Sequence, residues 1–220
     1  MEHTLNQPQG LNFGIVDPHI HQWDPYHTPH AAGTLVKLLG KYPKLMHSAV
    51  RHLKPKALVD SVGDPSYVLK PYLPVDLYQD YQPYYIDAVV HVEANWHHQH
   101  GFAVVEETQW IKQLPFEQHN IQLAGIVATA DPRHPNFKNI LLAHQAASSL
   151  LKGIRKMAAW HQDSGIYNWT DTPHLYQDDD FLKGFEHIAN MQLSFDAWGF
   201  PHNLTISSSW REIFQKLELF

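Results

Sequence analysis

The sequence predicts an α/β protein built on a parallel sheet, and three observations carry that prediction. Strand-like runs alternate with helix-like periods along the chain, which is the pattern of βαβ units. The chain has 220 residues, 44% of them hydrophobic, enough to bury one sizeable core. The alternation also breaks once: residues 22–74 are rich in Pro, Gly and His, with short helical pieces near 34–40. Residues 1–220 read as a single domain, with 205–220 as an atypical tail.

Strand-like runs are expected over residues 13–21, 85–94, 121–130, 151–158 and 192–198. Helices are expected over residues 75–81, after Pro74, and over 104–114, where Val104, Thr108, Ile111 and Leu114 share a face. Residues 137–150 and 181–189 show the same period. Asp178-Asp179-Asp180 reads as the entry to the last helix, with Asp180 as its cap and the acids favoured by the dipole. That run supplies too few ligands for calcium. An insertion as long as 22–74, placed after the first strand, would lie over the C-terminal strand ends, where α/β active sites sit.

Composition excludes several classes. Charged residues make up 17% and aromatic residues 12%, so the chain is not disordered. A net charge of -6 argues against a nucleic-acid binder. No apolar run approaches the roughly 18 residues of a membrane span, and the first ten residues lack the basic and apolar regions of a signal peptide. A cytoplasmic protein is expected. Zero cysteines remove disulfides and thiolate metal sites. Eighteen histidines are more than a core of this size needs, so position must decide which ones matter.

The sharpest feature is Asp17-Pro18-His19-Ile20-His21. In a strand, Asp17, His19 and His21 would share one face while Ile20 points away. Two imidazoles at that spacing can converge on one metal, although alone they read first as polar residues on a half-exposed strand. Likewise, Val89, His91 and Glu93 would share an inward face, with Ala88, Val90 and Val92 turned to the helices. His91 and Glu93 are then either a proton-handling pair or a buried pair that satisfies itself. Arg155, at the mouth end of the fourth strand, either grips a substrate carboxylate or forms a structural salt bridge. Trp23, Trp96, Trp160 and Trp198 either wall a pocket or pack in the core. The His97-His98-Gln99-His100 run reads as solvated loop.

The string from Ile15 to Pro25 resembles the start of the amidohydrolase-related, metal-dependent hydrolases of TIM-barrel fold. More narrowly, it resembles the branch of sugar lactonases and 2-pyrone-4,6-dicarboxylate lactonase. The resemblance continues in order through Val90-His91-Val92-Glu93-Ala94, Gly125-Ile126-Val127 with Asp131-Pro132, Lys152-Gly153-Ile154-Arg155, and Leu193 to Leu204. It covers residues 13–204. It implies the first five βα units of a (β/α)8 barrel, with a long insertion between the first strand and the first helix. His19 and His21 match the first-strand metal pair, and His202 the histidine after strand five. A divalent metal, zinc foremost, is implied, although some relatives work without one held tightly. The implied reaction is opening of a small acidic lactone by an activated water, with Arg155 orienting the substrate and His91 and Glu93 near the chemistry. The alternatives are a decarboxylase of the same barrel type and a non-catalytic fragment that needs a partner half.

A βαβ unit takes about 30 residues and a full barrel about 250. Only residues 205–220 follow Leu204, so strands six to eight are expected to be missing, together with the histidine and aspartate the family carries there. Within that tail, Ser209 and Glu212 would form a capping box. A five-stranded sheet with open edges is expected to be marginally stable or to self-associate through the open barrel edge.

Overall fold

The computed structural model describes residues 14–29, 33–63, 67–97 and 100–204. The tail from 205 to 220, with its expected capping box, lies outside them, as do His98 and Gln99. Five parallel strands form one sheet in the order β1-β2-β3-β4-β5: Val16–Ile20, Ala88–Val92, Gln122–Thr129, Leu151–Met157 and Ser194–Trp198. They form a half-barrel. Each expected strand is present, trimmed at its ends where the pairing stops.

Because every neighbour is parallel, each connection must cross back over the sheet. Four of the chain's helices do so: α4 (Pro74–Tyr81), α5 (Val105–Lys112), α6 (Phe137–Ala147) and α7 (Asp179–Asn190). The expected helix over 104–114 divides into a 3-10 turn, Gly101–Val104, and α5. Leu114 falls beyond it, since the residue before Pro115 resists the helical conformation. At α7 the cap is Asp178, not Asp180: its Oδ1 accepts from the backbone N–H of Asp180 and Phe181, at 2.9 and 3.0 Å. Asp179 and Asp180 instead occupy the first turn, where the helix dipole favours acids.

The main core lies between β3–β5 and α5–α7, around Ile126, Ile140, Leu141, Ile154, Phe181 and Ile188. A second cluster joins Ile20 and Val89 to Leu77, Phe116 and Ile121 under α4. Between β1 and α4 the chain makes its long excursion through α1 (Gly33–Leu39), α2 (Pro43–Leu53) and α3 (Lys56–Val62). Only the first of these has its counterpart in the expected helical piece near 34–40. The excursion has a small core of its own, Val36, Met46 and Val50. Its two ends are clamped where Trp23 and Tyr72 exchange backbone hydrogen bonds at 3.1 and 2.9 Å. Among the described residues no helix is long and apolar enough to cross a membrane.

Two features of the core give tests. Gly184 sits mid-helix in α7, where alanine ordinarily adds about 1 kcal/mol of helix stability. A Cβ there would collide with the Pro132 carbonyl oxygen, which belongs to backbone and cannot swing aside. Gly184→Ala is therefore expected to destabilise by on the order of 2 kcal/mol and lower Tm by roughly 5 °C; a raised Tm would contradict this packing. His144 on α6 is fully buried, with Nδ1 2.8 Å from Thr108 Oγ1 on α5. Burial lowers its pKa to about 4. The unfolded chain, near 6.5, then binds more protons between those values, so the stability from a neutral His144 is complete above pH 6.5 and lost as pH falls through 4. An NMR titration of the His144 ring should show a midpoint near 4; one near 6.5 would refute the burial argument.

Candidate functional site

The parallel topology brings the C-terminal ends of all five strands to one side, and the excursion folds over them. Between the two lies a cavity of about 450 Å³. His21 from the end of β1, Glu93 from the end of β2, Arg155 and Met157 from β4, and Trp198 from β5 line it on the sheet side. Trp23 and the apolar side chains of the excursion line it from above.

The β1 face differs from simple alternation. Asp17 pairs with Val89 and Ile20 with His91, so β1 spends one residue more than β2 over this interval. The extra residue divides the expected set. Asp17 turns to the helix layer, where Tyr81 Oη–H donates to its Oδ2 at 3.0 Å, and Ile20 packs on the same side. His19 and His21 are left together, with Nε2 atoms 3.2 Å apart and rings edge-on, centroids 4.9 Å apart. The Nδ1 of His21 lies 2.8 Å from the Val92 carbonyl oxygen, which can only accept, so Nδ1 carries the proton and Nε2 a lone pair. Burial holds His21 down to about 4, which keeps it neutral at pH 7.

The β2 face is the reverse of the expected one. Val89 packs in the helix-side cluster with Leu77 and Phe116. His91 is in register with Ile20 and Ile126, both of the helix side, and its Nε2 lies 3.6 Å from Glu107 Oε1 of α5. Val90 is the residue that faces the concave side, beside Gly125 and Lys152. The cause is legible: Ala88-Val89-Val90-His91-Val92 is buried on both faces, so its apolar residues do not mark an inside. His91 is completely buried, and neither ring nitrogen has a hydrogen-bond partner. Glu93, beyond the strand's last residue, does reach the cavity as expected.

Glu93, His91 and Glu107 thus form a buried polar cluster under the cavity floor. Burial, then the nearby Glu107, pushes the Glu93 carboxyl up, against the pull of Arg155. Burial likewise raises Glu107 to about 7, although its Oε1 accepts from the Ala94 N–H at 2.7 Å. Burial lowers His91 to about 3, which makes it a neutral ring. The fixed cation among them is Arg155. Its Nε stands 3.8 Å from both Glu93 Oε1 and Asp196 Oδ2, has no hydrogen-bond partner, and its guanidinium lies 5.7 Å from the Trp198 ring centroid. Arg155 is thus flanked by acids, as the salt-bridge reading expects, and it also lines the cavity.

Glu107 and Asp196 are absent from the expected site. Glu107 follows Val104 by three residues and precedes Ile111 by four, so it falls on the apolar stripe of α5, a signal that it is buried. Asp196 is the register partner of Arg155 and alternates with Phe195, which packs with Phe181 and Phe185 on the helix side. Of the tryptophans, Trp23 and Trp198 line the cavity, as does Trp169. Trp96 is buried, its Nε1–H donating to Glu106 at 3.3 Å. Trp160 lies beside His202, whose Nε2 is 2.9 Å from the Trp160 carbonyl oxygen.

The metal expectation fares differently by residue. His19 and His21 supply two converging nitrogens. A zinc site takes three or four protein ligands, and among the described residues no three metal-binding side chains come together. These residues do not compose a complete zinc site. A second cavity, about 320 Å³, is lined by His100, Asp131, Arg133 and His134. There Arg133 is committed to Asp131 at 2.7 Å and Asp171 at 2.9 Å, which is the mark of a structural network.

No family model matches the chain, and no curated protein matches it. Two crystal forms of an amidohydrolase from Burkholderia multivorans match in structure. The form with bound zinc is 20% identical, with a TM-score of 0.50, over 86% of this chain and 50% of its own. The form with bound HEPES is 18% identical, with a TM-score of 0.54, over 93% and 54%. The chain spans about half the length of these solved structures. Its fold is that of about half an amidohydrolase barrel.

The electrostatics give a differential test. Removing the Arg155 charge leaves Glu93 and Asp196 without their cation, and Arg155→Gln should cost on the order of 3 kcal/mol. Glu93→Gln should cost clearly less, since a carboxyl already driven toward its neutral form is close to an amide. Urea unfolding of the two variants measures both; an equal or larger loss for Glu93→Gln would mean that Glu93 is buried as a full charge.

Proposed function

We propose that the site serves hydrolysis of a cyclic ester that bears a carboxylate, opening the ring to a hydroxy acid. The observation that carries this reading is the convergence of Arg155, Glu93 and His21 on one cavity at the strand ends, with the exposed His19 ring beside His21. Arg155 would hold the substrate carboxylate and fix the ring over the histidines. His21, neutral and with its Nε2 lone pair exposed by the Val92 hydrogen bond, would take the proton of the attacking water. With its own proton on Nδ1, His19 would present a second Nε2 lone pair 3.2 Å away, so the proton from water could be shared between the two rings. As the tetrahedral adduct collapses and the ring C–O bond breaks, the imidazolium returns the proton to the leaving alkoxide. Water adds across one bond, and no other reagent is consumed.

The same pair supports a second reading, in which the two Nε2 atoms take a divalent metal, zinc by chemical preference. His202, the third ligand implied by resemblance, has Nε2 directed at a backbone carbonyl oxygen. Calorimetric titration with zinc would then show binding that His19→Ala and His21→Ala each abolish, with the His202→Ala result deciding its place.

The hydrolytic reading is tested with carboxylated lactones in a pH-stat. Ring opening is expected, with His21→Gln lowering kcat/KM on the order of 100-fold and Arg155→Gln acting mainly on KM. Release of carbon dioxide without ring opening would identify a decarboxylase instead, and no turnover of any lactone would remove the proposal.

A further inference from the structure

The cavity is far more apolar than recognition of a small acidic ring requires. Leu35, Val50, Leu58, Val59 and Leu69 of the excursion line it from above, and Met157 lines it from the sheet. Trp169 stands edge-on to Trp198, centroids 5.9 Å apart, and Trp23 stacks on Tyr72 at 5.1 Å. Into this setting projects Arg155, a residue 7% exposed, whose Nε has no hydrogen-bond partner and stands 3.8 Å from the Glu93 and Asp196 carboxyls. Lys54, Ser61 and Asn95 add a few polar groups to the lining, but most hydroxyls of a polyhydroxylated sugar ring would still face hydrocarbon, at a cost for each. An alkyl or aryl body has no such groups to satisfy.

We propose that the cavity selects a carboxylate attached to an apolar body, with the carboxylate on Arg155 and the alkyl or aryl portion against the excursion's leucines, valines and the paired tryptophans. Resting on the hydrolase reading, this names its substrate class: a cyclic ester carrying a carboxylate and a hydrophobic substituent. The excursion is then the specificity element, and the strand ends supply the charge.

The test is equilibrium binding to the full chain, followed by tryptophan fluorescence, with butyrate, hexanoate, octanoate, octan-1-ol and gluconate as probes. Each added methylene buried in the cavity should tighten binding about fourfold. Octanoate should exceed octan-1-ol, and gluconate should bind far more weakly. Arg155→Gln should erase the preference for octanoate over octan-1-ol. Because that variant is also expected to lose stability, Leu58→Gln on α3 provides a second arm: octanoate affinity should fall severalfold while butyrate affinity stays unchanged. Gluconate binding as tightly as octanoate, an absence of chain-length dependence, or no binding of any probe would each overturn the proposal. Since nothing is turned over in this measurement, it separates the two readings. Chain-length-dependent binding without lactone hydrolysis sinks the reaction alone, whereas hydrolysis indifferent to the hydrophobic substituent sinks the specificity alone.

Discussion

Parallel pairing is the constraint from which the site's position follows. A strand that pairs in parallel with its predecessor must be preceded by a crossover, so every strand in this sheet ends on the same side. The register from β1 to β5 then places His21, Glu93, Arg155 and Trp198 at one rim, although they are separated in sequence by long helical connections. The excursion that follows β1 begins and ends at that rim. The backbone exchange between Trp23 and Tyr72 fixes it there as a unit with its own core, not as a loose loop.

The second organising element is the imbalance of charge beneath the cavity. Two carboxyls and an imidazole are buried together, and burial drives all three toward neutral forms. Arg155 has no such option, because its guanidinium stays protonated in any protein environment. Asp196, 3.8 Å from the Arg155 Nε, balances part of that charge, and the remainder attracts an anion more strongly than it would in water. A substrate carboxylate is the natural complement, and the apolar walls above it would exclude competing water.

Much of this was legible in the sequence. Alternating periods gave the α/β class and all five strands, because long periodic segments of a buried sheet leave little freedom. The position of the first connection as an insertion over the strand ends also followed, since α/β chemistry concentrates there. What periodicity could not decide was which side a residue faces. On β1 one additional residue sends Asp17 to Tyr81 and leaves His19 with His21, and nothing in the spelling of the motif announces it. On β2 an unbroken apolar run around His91 has no polar face to orient it, so the strand reads equally well both ways up. The helices α2 and α3 lie in a segment rich in Pro, Gly and His, where helical pieces were expected only near 34–40. Glu107 is the instructive case, since its place on the stripe of Val104 and Ile111 was visible while its neighbours at the end of β2, His91 and Ala94, were not.

The most direct measurement is a crystal structure of the chain soaked with a carboxylated lactam, an unreactive counterpart of the proposed substrate that carries an alkyl substituent. The carboxylate is expected within hydrogen-bond distance of Arg155, the lactam carbonyl facing the His19–His21 pair, and the alkyl group against Leu58 and Leu69. A ligand bound elsewhere, or bound in the cavity with its carboxylate turned away from Arg155, would contradict the proposed site.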